Sequence, residues 1–317
     1  MPERVRATVA AVVVTYNRKH LLAGLLEALL GQTRPPDAIF VVDNASTDGT
    51  ERLMEDRYRG QVAYVRLTEN GGGSAGFREG MKRACEAGYD RIWVMDDDVV
   101  PAPDCLERLL EQEPEAILAP MRRAPSGEVV ERAALRFDMS SLFRWDPREQ
   151  TVAQFVKTRG CGELPELLPV LDCSFEGPLI PGSLVRKIGL PREDFFLYAD
   201  DAEYAWRARA RAGVPVFCVT RARLVRQLEG APAPAFPEPW RFYFYWRNMF
   251  WLFRTYGQTR RARLRPLPVW LARVMYSAVR FRFGEARVLT EALADSRREP
   301  LPRRYTPGGR ETRFQAK

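Results

Sequence analysis

The chain has 317 residues, and 46% of them are hydrophobic, which is enough for a substantial core and excludes a disordered or low-complexity protein. Its five cysteines are odd in number and form no CxxC pair, so we expect neither a disulfide framework nor a zinc knuckle, and a reducing cytoplasm fits. The formal net charge of +8 is uneven, because residues 240–317 hold 18 Lys and Arg against 5 Asp and Glu. An anionic partner is therefore expected for the C-terminal segment alone.

The chain's first apolar run, Val9 to Tyr16, predicts a buried strand and not a signal peptide, because polar residues follow it at once. Asn17 is placed to cap the helix that follows, in which leucines recur at helical spacing. A second strand over 38–44 leads to Asp48-Gly-Thr-Glu51, which has the spacing of a capping box at the start of a second helix. Nothing in the chain reaches the roughly 18 to 20 uninterrupted apolar residues that a membrane span needs.

Two more strands, over 62–67 and 91–96, enclose a third helical stretch over 74–87. Strands that alternate with helices in this way predict parallel βαβ units, so we expect an α/β fold with a mostly parallel central sheet and helices on both faces. Ligands bind outside the carboxyl ends of the strands in such sheets. Four polar clusters stand at those ends and define the predicted site, namely TYN from Thr15, DNAS from Asp43, ENGGGSAGF from Glu69 and DDD from Asp96.

The second half of the chain is less regular. Residues 121–170 show no sustained period, so we expect an excursion there, followed by a last strand over 214–219. Ala and Pro dominate residues 231–239, which indicates a joint. The predicted organisation is thus a first domain over 1–230, the joint, and a basic helical region over 240–317.

Asp96, Asp97 and Asp98 are three adjacent carboxylates at the end of a predicted strand. They repel one another, so a cation or hydrogen-bond donors must neutralise them. A hard divalent ion, Mg²⁺ or Mn²⁺, held by carboxylates and by substrate phosphates would do so. The alternative is an acidic, solvated turn in which Asp96 or Asp98 caps backbone amides.

The glycines at 71, 72, 73 and 76 open the third helix. They allow backbone amides to approach a phosphate at a helix N-terminus, where the helix dipole favours an anion. The pattern is neither a Walker A loop nor a GxGxxG fingerprint. A tight turn between strand and helix explains it equally well.

Asp200 and Asp201 stand where a later helix should begin, and Glu203 and Arg207 are spaced to share one of its faces. A capped amphipathic helix with a surface ion pair would account for these residues. Two adjacent acids behind an aromatic run are more than a cap requires, however, and a partly desolvated carboxylate here could act as a general base.

The order of these motifs, VVVTYNR, VVDNASTDGT, a glycine-rich loop, MDDD and LYADDAEYAWR, resembles that of inverting glycosyltransferases of family two, which adopt the GT-A fold. The resemblance covers residues 8–228 and is closest to the galactofuranosyltransferase and rhamnosyltransferase branches. It implies transfer of a sugar from a nucleotide-diphosphate sugar, UDP- or dTDP-linked, to a hydroxyl of a glycan or lipid-linked acceptor, in cell wall or polysaccharide biosynthesis. Residues 121–182 would shape the acceptor side.

The resemblance also implies a role for each site residue. The donor-binding residues would be Thr15, Tyr16, Asn17, Asp43, Asn44, Gly72, Gly73, Phe77, Asp96 and Asp97. Mg²⁺ or Mn²⁺ would lie on Asp98, with Asp96 as a further candidate ligand, and would stabilise the departing diphosphate. The acid that takes the proton of the acceptor hydroxyl would be Asp201. The supporting residues would be Asp200, Glu203 and Arg207.

Relatives often supply a histidine as a further metal ligand, after the strand that follows the helix of Asp201. The only histidine here is His20, on the first predicted helix, where it is expected to be an ordinary, partly exposed residue. At the corresponding place the sequence reads RLVRQLEG, so Gln227 is the candidate ligand, through its amide oxygen.

Aromatic residues alternate with arginines in WRFYFYWRNMFWLFR, from Trp240. This pattern suits RNA stacking, a membrane interface or a core helix. YFYWRN matches a stretch that follows the catalytic domain in relatives, so we favour a helix packed on that domain. An anionic membrane, at the inner face of the cell membrane, is the expected partner of later arginines, namely Arg260, Arg261, Arg263 and Arg265. After residue 297 a solvated basic tail is the alternative.

Two rival functions fit part of the sequence. A nucleic-acid-binding protein would explain the basic segment but leaves both acidic clusters without a role, since they repel phosphate. A nucleotidyltransferase would share the glycine-rich loop and the acids, but the helix that starts at Asp200 would have no role in it.

Overall fold

The structure is a computed structural model that describes residues 6–112, 115–144, 146–160, 162, 164–228 and 238–307. The strands in these ranges are β1 (Val9–Thr15), β2 (Ala38–Asp43), β3 (Ala63–Arg66), β4 (Arg91–Asp96), β5 (Val99–Pro101), β6 (Ile117–Arg123), β7 (Ala134–Phe137), β8 (Arg148–Thr151), β9 (Leu167–Val170), β10 (Leu179–Pro181) and β11 (Val216–Arg226). The α-helices there are α1 (Lys19–Leu30), α2 (Thr50–Arg57), α3 (Gly72–Glu86), α4 (Cys105–Leu110), α5 (Val152–Arg159), α6 (Gly182–Ile188), α7 (Asp200–Arg207), α8 (Pro239–Tyr256), α9 (Arg260–Arg263), α10 (Pro266–Val279) and α11 (Phe283–Asp295).

The described strands build a nine-stranded sheet in the order β3-β2-β1-β4-β10-β6-β11-β5, with β9 paired to β11. β1 runs parallel to β2 and β4, and β2 runs parallel to β3, as the alternation of strands and helices predicts. β6 and β11 are also parallel, whereas β10, β5 and β9 run antiparallel to their neighbours. The predicted α/β fold with a mostly parallel central sheet is confirmed.

Successive residues of β1 face two separate cores, because side chains alternate across a strand. The odd-numbered residues, from Val9 to Val13, pack in one core with leucines of α1. The even-numbered residues, from Ala10 to Val14, pack in the other core with Phe77 and Met81 of α3. Helices therefore cover both faces of the sheet, as predicted.

Gly76 and Gly80 allow α3 to lie very close to β1. A Cβ atom at Gly80 would stand 2.3 Å from Val12 Cγ1, and one at Gly76 would stand 2.5 Å from Val14 Cγ1. Both distances are far inside van der Waals contact, so a side chain at either position would push the helix away from the sheet. Close packing therefore explains these two glycines.

The prediction that Asn17 caps α1 is wrong. Arg18 occupies the capping position, and α1 begins without a side-chain cap. Asn17 instead has a left-handed backbone, with φ of 54°, and its Oδ1 accepts a hydrogen bond of 2.7 Å from Thr47 N. The side chain is turned toward the neighbouring loop and so ties the ends of β1 and β2 together.

The predicted capping box of α2 is also wrong. Gly49, with φ of 89°, stands at the capping position, so Asp48 lies one residue too early. Asp48 Oδ1 accepts from Thr50 N at 3.1 Å, and its Oδ2 accepts from Lys19 N at 2.9 Å. The carboxylate thus accepts hydrogen bonds from backbone amides in the first turns of both α1 and α2.

The region expected to be an irregular excursion contains short elements of its own. β7 and β8 form a separate two-stranded sheet, and Thr151 with Gln154 forms a capping box at the start of α5. The last strand is longer than predicted, since β11 continues past a bulge between Val219 and Arg223. Its extension pairs with β5.

The chain divides into two compact units. The first comprises Met1–Arg136, Gln150–Glu193 and Tyr204–Glu229, and the second comprises Phe137–Glu149, Asp194–Glu203 and Gly230–Lys317. Most of the predicted joint, 231–237, lies outside the described residues, so the boundaries at 230 and 240 stay a prediction. In the part of the chain that the structure covers, no helix has both the length and the apolar character needed to cross a membrane.

α8 is a core helix of the second unit. Its aromatic side chains are buried together with residues of α11, such as Leu289 and Ala292. This burial favours the core interpretation of the WRFYFYWRN pattern over RNA stacking. The prediction that Arg265 faces a membrane is wrong, because Arg265 is 1% exposed and donates a hydrogen bond of 2.8 Å to Asp138 O.

Candidate active site

The carboxyl ends of β1, β2 and β4 bring the predicted polar clusters together. Thr15 Oγ1 donates a hydrogen bond of 2.7 Å to Asp97 Oδ2, which joins the end of β1 to the acidic turn after β4. Asn17 N donates to Ser46 Oγ at 2.8 Å, which joins β1 to the loop after β2. Tyr16 stands 41% exposed at this edge. The convergence expected from the sequence is observed for these three of the four predicted clusters.

Asp43 and Asn44 lie buried at the end of β2. Asp43 Oδ1 accepts from Ser46 N at 2.9 Å and its Oδ2 accepts from Tyr64 OH at 2.6 Å, and burial together with this bond raises the pKa of Tyr64. Asn44 is 2% exposed, and its Oδ1 has no hydrogen-bond partner among the described residues. A buried amide oxygen without a donor is unusual, so Asn44 is available to accept from a ligand.

Asp97 and Asp98 form the two-residue turn between β4 and β5, and both are buried. Burial raises the pKa of Asp97 to about 6, although the bonds from Thr15 and Arg18 oppose this effect. Arg18 Nη1 lies 3.1 Å from Asp97 Oδ1 and 3.4 Å from Asp98 Oδ2. The turn is therefore not a solvated one, and it has a cationic partner that the sequence did not reveal.

Gln227 lies directly opposite Asp98. Its backbone N donates a hydrogen bond of 2.8 Å to Asp98 O, which continues the antiparallel pairing of Arg226 with Val99 by one residue. The buried Gln227 Nε2 finds no hydrogen-bond partner in the described part of the chain. The unexpected length of β11 thus brings the candidate ligand beside the acidic turn.

Glu176 is a charged neighbour of Asp98 that sequence reasoning missed. Burial raises the pKa of Asp98, and the Glu176 carboxylate raises it further. Glu176 itself lies 2.9 Å from Arg122 Nη1, and Arg122 also makes two bonds of 2.9 Å to Glu131. Although burial acts in the opposite direction, Arg122 and Arg226 hold the pKa of Glu176 below its ordinary value. These residues come from separate, non-periodic segments, so no sequence pattern connects them.

The oxygen donors around Asp98 suit a hard divalent cation. Asp98 has a carboxylate and Gln227, which pairs with it through the backbone, has an amide oxygen, and the half-buried Asp96 ends β4 two residues before Asp98. Within the described ranges, no three His, Cys, Asp or Glu side chains are grouped to hold a metal. Mg²⁺ commonly takes only one or two carboxylates and completes its shell with water and substrate phosphates. The residues present therefore fit a cation site that the substrate completes.

The glycine-rich loop leads directly into α3. Gly72 has a left-handed backbone, with φ of 79°, and its N–H donates to Asn70 Oδ1 at 2.8 Å. A Cβ at Gly73 would meet only the edge of the Phe77 ring, at 3.8 Å, so this position is open. Phe77 is 3% exposed, and the centroid of its ring lies 4.8 Å from the centroid of the Phe175 ring. Phe77 is thus a core residue and is not exposed to a ligand.

The second acidic cluster begins α7. Asp201 Oδ1 accepts from Ala202 N at 2.6 Å, and Asp200 is 8% exposed. The backbone just before it is strained, because Phe196, Tyr198 and Ala199 all have left-handed φ angles, of 63°, 69° and 64°. Non-glycine residues hold this conformation only where their surroundings enforce it.

Asn248 of α8 enforces that conformation. Its Nδ2 lies within hydrogen-bond distance of the carbonyl oxygens of Phe195, Leu197 and Tyr198, at 3.0, 2.9 and 2.8 Å. Its Oδ1 accepts in turn from Arg247 Nε at 2.9 Å, and Arg247 Nη2 donates to Phe195 O at 3.0 Å. Both side chains are fully buried. The RN pair of YFYWRN therefore supports the backbone that precedes Asp200.

Glu203 and Arg207 are buried, which excludes the alternative that they form an ordinary surface ion pair. Glu203 is 2% exposed and accepts from Tyr256 OH at 2.8 Å. Arg207 is 7% exposed and donates to Ile188 O and Leu190 O, both at 3.0 Å. Each residue anchors its own part of α7 to a neighbouring segment.

Residues 10–161 match the model of the family described as glycosyl transferase family 2. The chain is also 31% identical over 218 residues to galactofuranosyltransferase GlfT1 of Mycolicibacterium smegmatis, an alignment that covers 68% of this chain and 70% of that protein. This chain belongs to glycosyltransferase family 2. Its likeness to the galactofuranosyltransferases, predicted from the order of motifs, is confirmed as well.

This glycosyltransferase is similar to two further proteins. It is 34% identical over 217 residues to GlfT1 of Mycobacterium tuberculosis, covering 66% of each chain. Its structure matches that of mannosyltransferase PcManGT from Pyrobaculum calidifontis, in complex with GDP-Man and Mn²⁺, with a TM-score of 0.55 and 19% identity, over 94% of this chain and 83% of that one. The glycosyltransferase thus has the GT-A fold.

Proposed function

We propose that this glycosyltransferase moves galactofuranose or rhamnose from a UDP- or dTDP-linked donor to a hydroxyl of a glycan or lipid-linked acceptor, with inversion at the anomeric carbon. The names of the relatives support galactofuranose, and rhamnose rests on the resemblance of motifs alone. The observation that carries the reaction is the buried turn of Asp97 and Asp98 at the carboxyl ends of the strands, with Gln227 opposite.

The donor is proposed to bind along this edge. Its nucleoside would meet the ends of β1 and β2, with residues Thr15, Tyr16, Asn17, Asp43 and Asn44. The buried Asn44 Oδ1 supports this placement, since a ligand N–H or O–H would satisfy it. The diphosphate would lie beside Gly72 and Gly73 at the start of α3, where the helix dipole favours an anion. Phe77 would act only through packing.

Asp98 and Gln227, with Asp96 beside them, would hold the Mg²⁺ or Mn²⁺ ion. When bound, the ion supplies positive charge that stabilises the diphosphate as it leaves. Arg18 contributes a fixed positive charge at the same turn and reduces the repulsion between Asp97 and Asp98.

Asp201 is the proposed general base. The acceptor oxygen attacks the anomeric carbon while the bond from that carbon to the diphosphate oxygen breaks, and the hydroxyl proton passes to the Asp201 carboxylate. The electrons of the broken bond remain on the nucleotide. Asp200, Glu203 and Arg207 would support the helix that carries the base.

The cell context is also a proposal. A lipid-linked acceptor would place the enzyme in the cytoplasm at the inner face of the cell membrane, in cell wall or polysaccharide synthesis. The excess of basic residues over 240–317 supports a peripheral association with that surface.

A panel of nucleotide sugars tests this function. UDP-galactofuranose and dTDP-rhamnose are each incubated with Mg²⁺, with Mn²⁺ and with a chelator, and donor hydrolysis, donor binding and the anomeric configuration of any transfer product are measured. We expect turnover of UDP-galactofuranose with metal and its loss with chelator. The variant Asp56→Asn, at an acid 62% exposed on α2, is the control and should behave as the unchanged protein. The proposal is wrong if no sugar nucleotide binds in the presence of metal.

A further inference from the structure

α10 has one buried face and one apolar face that the fold leaves exposed. Val269 and Ser277 are buried toward the core of the second unit. Four large apolar side chains, spaced by four residues, lie on the other face and are exposed by 41, 51, 60 and 79%, namely Leu267, Leu271, Met275 and Val279. A helix on the surface of a water-soluble domain normally shows polar residues there. Contiguous apolar exposure of this kind marks an interaction surface.

The exposed apolar surface continues beyond the end of α10. Phe281 is 77% exposed and Phe283 is 64% exposed, and their rings meet edge to face with centroids 6.4 Å apart. Phe281 has a left-handed backbone, with φ of 55°, at the turn into α11. We call this surface the α10 apolar face; its residues are Leu267, Leu271, Met275, Val279, Phe281 and Phe283.

The flanks of the α10 apolar face are strongly basic. Residues 260–287 contain eight arginines and one glutamate. Arg265 and Arg273 are turned inward, since Arg265 is 1% exposed and the Arg273 guanidinium lies 5.1 Å from the Trp246 ring centroid. Five of the six exposed arginines flank the two ends of α10, namely Arg260, Arg261, Arg263, Arg280 and Arg282, and the sixth, Arg287, lies on α11.

We propose that the α10 apolar face docks on the surface of an anionic lipid membrane. The helix would lie in the plane of the interface, with its apolar side chains among the upper acyl chains and the arginines of its two ends at lipid phosphates. With 14 residues, α10 is about 21 Å long, too short to cross the hydrocarbon core, so only the flat arrangement is open to it. This inference concerns a surface that takes no part in the proposed transfer reaction.

The charges favour lipid over a second copy of the chain. A symmetric dimer through the α10 apolar face would bring arginines of both copies to the same interface, where like charges repel. Nucleic acid would satisfy the arginines but would leave the six apolar side chains in water. A leaflet with anionic headgroups is the one partner that satisfies both parts of the surface.

Vesicle binding of the full chain tests this proposal. Sedimentation is measured with vesicles of phosphatidylcholine alone and with vesicles that also contain phosphatidylglycerol. We expect binding to the anionic vesicles, and a fall in the partition coefficient of about tenfold or more in the double variant Leu271→Glu, Met275→Glu, because charges replace two inserted side chains. The double variant Arg260→Gln, Arg261→Gln should bind about fivefold less per arginine and lose part of its salt dependence.

Leu30→Glu, at a leucine of α1 that is 38% exposed, is the matched control and should bind vesicles as the unchanged protein does. Circular dichroism verifies that each variant is folded, and light scattering reports its self-association. The proposal is overturned if the Leu271→Glu, Met275→Glu variant keeps full vesicle binding, or if the control loses binding equally. It is also overturned if the unchanged protein does not bind anionic vesicles, and a dimer that the Leu271→Glu, Met275→Glu variant abolishes would then identify a second copy as the partner.

Discussion

The two acidic clusters of this glycosyltransferase are positioned in different ways. Asp97 and Asp98 occupy a turn that the sheet itself defines, because β4 ends before them and β5 begins after them. Asp200 and Asp201 begin a helix after a left-handed stretch that Asn248, about fifty residues later, holds in place. The first cluster depends on strand geometry and the second on a distant side chain.

This difference suggests that the two halves of the reaction can be disturbed separately. Changes around Asp98 should act on the donor and its metal, whereas changes around Asp201 or Asn248 should act on the acceptor step. Three substitutions test that separation and a fourth should affect stability only; they follow in order of decreasing effect on catalysis.

Asp201→Asn should have the largest effect. It keeps the size of the side chain but removes the base, so we expect kcat to fall by about 10²- to 10⁴-fold. Donor affinity, measured by titration with UDP-galactofuranose under Mg²⁺, should stay within twofold or so of the original. Unchanged turnover in this variant would remove Asp201 from the mechanism.

Asp98→Asn should act on the donor instead. Loss of one charged ligand at the leaving group should lower turnover by about 10²- to 10³-fold. Unlike the Asp201 variant, it should also weaken the dependence of donor binding on Mg²⁺. Isothermal titration with and without chelator measures this, and Asp56→Asn is the control. Equal metal dependence in the Asp98 variant and the control would contradict the assignment.

Asn248→Leu should lower kcat without weakening donor binding, because it releases three backbone carbonyls just before Asp200. A displacement of the base by about 1 Å can cost up to about 10²-fold in rate. Tyr243→Phe is the matched control on the same helix, since Tyr243 OH bonds to Asp295 and Pro302 instead. If both variants lose the same stability and the same kcat, Asn248 has a structural role only.

Asp295→Asn should have the smallest effect on catalysis and should change stability alone. Asp295 is a buried acid of the second unit. Burial alone would raise its pKa, but Arg304, Tyr243 and Arg298 outweigh this effect and hold the pKa below the ordinary value of about 4. Its charge therefore stabilises the fold above that value and ceases to do so as the pH falls through the lowered pKa.

Urea unfolding at several pH values measures this contribution. We expect the variant to be about 1.5–3 kcal/mol less stable at pH 7, and the difference to shrink toward acid pH. A difference that does not change with pH would show that the charge of Asp295 is not what stabilises the unit.

Much of the first unit could be predicted from the sequence. The strands β1 to β4 follow from apolar runs, and the convergence of Thr15 and Asp97 follows from the rule that carboxyl ends of parallel strands share an edge. Helix starts could not be predicted in the same way, because Asn17 accepts a hydrogen bond from a neighbouring loop and Asp48 accepts one from the start of α1. The spacing of residues along the chain does not show which of several backbone amides a polar side chain will bind.

The parts of the site that sequence reasoning missed depend on contacts between distant segments. Arg18 ends the motif VVVTYNR but was assigned no role, Glu176 belongs to no motif, and only the fold brings both to Asp98. The RN pair of α8 was expected from the resemblance. Its hydrogen bonds to residues 195–198 could not be predicted, because the sequence does not show which residues adopt a strained backbone. The buried position of Arg265 was missed for the same reason.

The glycines of α3 have a consequence for how the protein folds. Four of its 15 residues are glycine, and each makes an isolated helix about 1 kcal/mol less stable than alanine would. A peptide of residues 72–86 should therefore show little helical circular dichroism in water. α3 can form only as it docks on β1, where Gly76 and Gly80 allow the contact. The end of this helix that is proposed to face the donor diphosphate is thus assembled together with the sheet and not before it.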